Sequence, residues 1–108
     1  MEVNVTIIKE VTENIYTLRV SGVLDYSTMS PFDKEINSIE SGTEKVIIDV
    51  EELEFIDSTG IGSIINLVHA AVEHNFDVEF AGMSDEIKEL FETIGVFKIM
   101  ESLLKEAP

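Results

Sequence analysis

The residues best equipped for chemistry stand together: Asp57-Ser58-Thr59-Gly60-Ile61-Gly62, an acid, two hydroxyls and two glycines set directly before an apolar run. Three kinds of chemistry are open to such a stretch. A glycine-rich helix start holds phosphates through free N–H groups and the positive end of the helix dipole, but the Walker pattern requires a Gly-Lys-Ser/Thr ending that is absent here. A serine hydrolase needs a base close to its serine. The stretch is not G-x-S-x-G, and His69 and His74 fall 11 and 16 residues beyond Ser58 on the same predicted helix, the nearer one about three turns away. The third possibility makes a hydroxyl the substrate. A serine at a helix N-terminus is exposed, neighbouring glycines let a kinase's active site approach, and a phosphate added there is favoured by the dipole.

A purely structural reading competes with all three. Asp57, Ser58 or Thr59 could accept a hydrogen bond from an orphan backbone N–H and cap the helix, worth ~1 kcal/mol. Gly60 and Gly62 could be small residues where helix and sheet approach closely. Yet one cap is enough, and glycine at two early helical positions costs up to ~1 kcal/mol each. A stretch that gives up helix stability invites a functional explanation.

The chain of 108 residues is the size of one domain, so residues 1–108 are expected to fold around a single core. Apolar residues make up 44% and charged residues 27%, the mix of a soluble globular protein. There is no cysteine, which removes disulfides, thiolate nucleophiles and cysteine-ligated zinc. No cofactor or metal is implied. With 22 acidic and 7 basic residues the formal charge is −15, which argues against nucleic acid or an anionic membrane as partner and favours a basic or mixed-charge protein. The first residues lack a secretion signal and no window approaches a membrane span, so a cytoplasmic location is expected and the Asn4-Val5-Thr6 sequon is read as chance.

Elements that could position the stretch follow from periodicity. Residues 3–8 and 15–20 alternate, with Tyr16, Leu18 and Val20 on one face, and predict a hairpin. After the turn Gly22-Val23-Leu24-Asp25, Ser30 and Pro31 suit a helix start, Phe32, Ile36 and Ile39 share a face, and Gly42 supplies a stop. Lys45 to Val50 reads as a central strand. Ile61, Ile64, Ile65, Val68 and Val72 recur at helical spacing until Asn75, with His74 near the C-terminus. Asp77 to Ala81 predicts a strand, and Ser84 caps a helix carrying Ile87, Leu90, Phe91 and Ile94 with Gly95 as its stop. The tail is ambiguous: Phe97 to Met100 could be a short strand, and Leu103 and Leu104 a final helical turn. The β-α-β unit over 45–81 requires parallel strands. The order β-β-α-β-α-β-α implies a two-layer α/β sandwich, with Asp57 to Gly62 at the rim beyond the carboxyl ends of the parallel strands.

Asp57-Ser58-Thr59-Gly60-Ile61-Gly62 resembles the D-S-[ST]-G signature of the anti-sigma-factor antagonists, the single-domain members of the STAS family. Gly22-Val23-Leu24-Asp25 resembles that family's G-x-[LI]-D turn, and Ile87 to Gly95 its I-x-x-L-F-x-x-x-G helix. The likeness spans nearly the whole chain. It implies a mixed sheet of four to five strands with three to four helices. It implies a non-enzymatic regulator, whose unphosphorylated form binds an anti-sigma factor with serine kinase activity and so releases a sigma factor. Phosphorylation by that kinase would end binding and a metal-dependent serine phosphatase would restore it. On this likeness Ser58 is the phosphoacceptor, with Thr59 its rival, and Asp57, Thr59, Gly60, Ile61 and Gly62 face the partner together with Asp25, whose other reading is an ordinary turn residue. A constitutive STAS interaction module of a scaffold or transporter, never phosphorylated, is the alternative, and a nucleotide-binding STAS protein a third.

Overall fold

Alternating β-branched and aromatic residues give the sheet, and amphipathic runs give the helices that cover it. The computed structural model describes residues 5–105. The elements run β1 (Val5–Thr12), β2 (Ile15–Leu24), α1 (Met29–Asn37), β3 (Lys45–Asp49), β4 (Leu53–Ile56), α2 (Ser58–His74), β5 (Asp77–Ala81), α3 (Asp85–Ile94) and α4 (Val96–Lys105). The fold is therefore α/β, with five strands and four helices among the described residues. Positions 3 and 4 of the first expected strand, and Asn4 of the sequon, lie outside them.

The sheet is mixed, in the order β1-β2-β3-β5, with β4 also paired to β2. The expected hairpin is β1 and β2, antiparallel from Val5 opposite Gly22 to Thr12 opposite Ile15. β3 lies parallel between β2 and β5, as the β-α-β unit required. Tyr16, Leu18, Val20, Val46 and Ile48 turn to one face and are almost wholly buried. Phe32 and Ile36 of α1, Ile64 and Leu67 of α2, and Ile87 and Phe91 of α3 meet them in one core. The opposite face carries Arg19 and Asp49, register partners joined by a 3.3 Å ion pair. An ion pair this exposed adds little to stability.

Three expectations are corrected and one open reading is resolved. A strand absent from the sequence reading, β4, pairs in parallel with the last residues of β2, while β3 pairs with its first ones. The chain leaves β3, turns at Val50, whose carbonyl accepts from Leu53 N at 3.1 Å, and rejoins β2 further along. The helix expected to start at Ser30 starts at Met29, with Thr28 in the capping position but making no side-chain cap bond. Its hydroxyl is occupied elsewhere, donating to the Val23 carbonyl at 2.7 Å. That helix also ends at Asn37, short of Ile39 and Gly42, because Ser38 closes it with a hydroxyl donated to Glu35 O at 2.8 Å. The tail, finally, is helix rather than strand. Gly95 (φ +87°) ends α3 and accepts from Ile99 N at 3.0 Å to open α4, and Val96 is fully buried. The side chains of Leu103 and Leu104 lie outside what is described. The Asn75, Ser84 and Gly95 boundaries stand as expected, with Asn75 left-handed at φ 65° and the Ser84 hydroxyl accepting from Ile87 N at 3.2 Å.

Helix α2 comes close against the sheet at Gly60. A Cβ added there would fall on the Leu24 carbonyl oxygen and 2.6 Å from Ile56 Cγ1, whereas one added at Gly62 meets nothing within 4 Å. Overpacking of this kind costs typically about 1–3 kcal/mol, and relief of a helical glycine gains up to ~1 kcal/mol. Gly60→Ala should therefore lower the urea midpoint while Gly62→Ala leaves it unchanged or raises it. Equal midpoints for the two variants would refute the close approach.

Candidate functional site

The site begins with a register match. β2 ends at Leu24 and β4 at Ile56, and these two residues are direct partners across the parallel pair. The next residue on each strand is an acid, Asp25 or Asp57, so the sheet brings both to one rim. Asp57 N donates to the Leu24 carbonyl at 3.3 Å, which ties the two strand ends together.

Asp57 is the cap. Its backbone is extended (φ −103°, ψ −174°), and Oδ1 accepts from Gly60 N at 2.9 Å, satisfying one of the orphan donors of the first turn. Its carbonyl accepts from Ile61 N at 2.9 Å. Ser58, the first residue of α2, is exposed, and its hydroxyl takes no part in the cap. Thr59 is half-buried and Gly62 half-buried, both in the first two turns. Gly60 and Ile61 do not lie open at the surface: Gly60 is buried against Leu24 and Ile56, and Ile61 is 3% exposed within the core. They form the floor under Ser58 rather than a face of the rim.

Asp25 organises the facing turn. Its Oδ1 accepts from Ser27 N at 2.9 Å, Ser27 Oγ at 2.7 Å and Thr28 Oγ1 at 3.3 Å. Its carbonyl accepts from Met29 N at 2.9 Å, opening α1. The Ser27 hydroxyl, with the Ser27 and Thr28 backbone and the Thr28 hydroxyl, holds the Asp25 carboxyl below the usual aspartate range against the opposing cost of desolvation. Ser27 and Thr28 are the residues that sequence reading missed; an acid followed two and three positions on by hydroxyls is the Asx-turn signal that marks them.

Elsewhere, a groove of about 350 Å³ runs between α1 and α2, lined by Asp33, Asn66, His69, Ala70 and Glu73 among others. It does not include Ser58, and neither histidine stands near the serine. Among the described residues no three metal-ligating side chains come together, and no helix is long and apolar enough to cross a membrane.

The family model of the STAS domain matches residues 6–107, which include both the Asp25 turn and the capped start of α2; the chain belongs to that family. The anti-sigma-B factor antagonist of Staphylococcus aureus is 26% identical over 98 residues, covering 90% of this chain and 91% of that protein. The Bacillus cell fate determinant SpoIIAA, solved in its phosphorylated form, has a TM-score of 0.70 at 20% identity over 86% of each chain. Murine Slc26a9, an anion transporter, has a TM-score of 0.73 at 13% identity, over 90% of this chain and 19% of its own. Both structural likenesses are of fold.

Two outcomes follow from the site's geometry. Asp57→Ala should cost ~1 kcal/mol in urea unfolding while Ser58→Ala costs almost nothing, since only the former removes a cap; a Ser58→Ala loss as large would make the serine the cap. Ionised Asp25 makes bonds that the unfolded chain lacks. Its contribution to stability is present above the ordinary carboxylate range and lost as pH falls through the lowered folded value. Titration of the Asp25 carboxyl carbon by NMR should give a midpoint below those of exposed carboxylates, and Ser27→Ala should move it back up.

Proposed function

We propose that this protein is an anti-sigma-factor antagonist whose unphosphorylated form binds an anti-sigma factor with serine kinase activity, frees a sigma factor, and is switched off by phosphorylation at Ser58. The observation that carries this reading is the division of labour at the start of α2. Asp57 caps the helix, Gly60 fits the sheet, and the exposed Ser58 hydroxyl is left without a structural duty. Support also comes from the Staphylococcus aureus relative, an anti-sigma-B factor antagonist that matches over 90% of this chain.

In the proposed reaction the γ-phosphoryl group of ATP passes to Ser58 Oγ. The Oγ–P bond forms as the bond to ADP breaks, and the hydroxyl proton goes to a base of the kinase. A serine phosphatase reverses the step by hydrolysis. Asp57, Ser58, Thr59 and Gly62 meet the partner, Asp25 acts through the turn it organises, and the buried Gly60 and Ile61 hold the platform. Thr59, half-buried, is the less accessible acceptor.

The phosphate adds ~1.5 to 2 negative charges beside Asp57 and Asp25. At ~5 Å and an effective dielectric between ~20 and ~80, each unit-charge pair repels by roughly 1–3 kcal/mol before salt screening. Those repulsions act within this chain whether or not a partner is bound; what weakens the contact is that a partner surface packed on the bare serine hydroxyl would have to strip the phosphate of its water, which should cost at least ~10-fold in affinity, since ~1.4 kcal/mol is tenfold.

The test uses wild type, Ser58→Ala and Ser58→Asp as baits in native lysate, with bound proteins identified by mass spectrometry. An anti-sigma factor of the ATP-binding kinase type should come down with wild type and Ala and be depleted from Asp, while the circular dichroism of all three stays the same. Equal recovery by all three baits would instead make the protein a constitutive interaction module.

A further inference from the structure

We propose that Tyr26 and Phe55 are the aromatic anchors of the partner interface around Ser58, that Asp25 is the positioning residue of Tyr26, and that the partner meets them with an apolar cleft rimmed by Lys and Arg. The inference rests on the antagonist reading above and names the surface through which it would act.

Tyr26 is 78% exposed and Phe55 54% exposed, large apolar surfaces that the fold does not use. Tyr26 lies two residues beyond the end of β2, and Phe55 one residue before the end of β4. Tyr26 follows Asp25 directly, and Phe55 is an exposed residue of β4 opposite Val23, three positions before Ser58. The order across the paired strand ends is thus an aromatic beyond Asp25, the two acids, Ser58, and an aromatic behind it. Energetically dominant interface residues are few, enriched in aromatics, and cluster near the centre of a patch.

The turn also presents Tyr26 at low entropic cost. Asp25 Oδ1 grips Ser27 N at 2.9 Å and Thr28 Oγ1 at 3.3 Å, and Asp25 N donates to Thr28 Oγ1 at 2.9 Å, so the backbone on both sides of Tyr26 is fixed before any partner arrives. This carboxylate points into its own turn and acts on a partner through Tyr26. Charge decides what the partner is. Asp25, Glu54 and Asp57 adjoin the two aromatics on a chain of formal charge −15, which repels nucleic acid, anionic membrane and a second copy alike. A basic-rimmed protein cleft complements it.

The experiment measures Kd by calorimetry for the anti-sigma factor identified with the wild-type bait, expressed and purified. Tyr26→Ala should weaken binding about 30-fold and Phe55→Ala about 10-fold, with Tyr26→Phe restoring most of it. Val11→Ala and Ile94→Ala serve as controls, since those residues are 54% and 43% exposed but stand away from the rim. Aromatic variants that bind like these controls overturn the anchors. If Ser58→Asp still weakens binding in that case, the antagonist reading survives; if wild type binds no anti-sigma factor, both fall. Asp25→Ala should cost about 10-fold in the wild-type background and nothing further in Tyr26→Ala, with Asp25→Asn retaining most binding. Equal losses in both backgrounds would overturn the positioning role.

Discussion

One backbone carbonyl, that of Leu24, sets the distance on which the rest of the site depends. It accepts from Asp57 N at 3.3 Å and lies where any side chain on Gly60 would have to go. Helix α2 therefore enters against bare backbone, and its first turn is brought down onto the end of β2. That contact puts the Asp25 turn and Ser58 at a common rim. It also explains why a glycine is accepted early in a helix, where its flexibility is a cost: the loss of propensity is offset by an approach no other residue permits. The burial of Ile61 in the next position locks the helix in place from the core side.

Much of this was legible in the sequence because the signals were redundant. Alternation over Tyr16, Leu18 and Val20 agrees with burial of that face, and Ser84 and Gly95 bracket α3 with cap chemistry that no tertiary contact needed to override. What was not legible came from competition among polar groups and from shortness. β4 has four residues, Leu53-Glu54-Phe55-Ile56, with Glu54 and Phe55 both exposed and only its ends buried, so it lacks the alternation that marks a strand. It exists because β2 offers an unpaired stretch beyond the end of β3. The start of α1 was misread because Ser30 and Pro31 look like a cap and first-turn pair, whereas Asp25 and Thr28 had already turned the chain. The tail could have been strand or helix on composition, and burial of Val96 with Phe97 against Phe91, ring centroids 5.9 Å apart, decides for helix.

At the site, the three adjacent candidates for a cap looked interchangeable in the sequence. Geometry separates them, since only the residue with extended backbone before the helix can turn its oxygen onto the free N–H groups, and that is Asp57. Asp25 likewise changes character. A single turn acid in the sequence becomes the acceptor of three hydrogen bonds in the structure, and its lowered pKa reflects that local cage rather than any neighbouring cation.

The separation of the cap from the exposed hydroxyl bears on how a modification of Ser58 would act. Were Ser58 the cap, adding a phosphate would disturb the first turn, and any switch would be a conformational one. With Asp57 as cap, a phosphate on Ser58 removes no hydrogen bond from the fold. Its attraction to the positive helix end, typically 0.3–1 kcal/mol at a surface, partly offsets the repulsion from Asp57. The modified chain therefore loses little stability, while a partner surface packed on the bare hydroxyl would have to strip the phosphate of its water. A switch built in this way alters what can pack on the surface and leaves the fold beneath it the same.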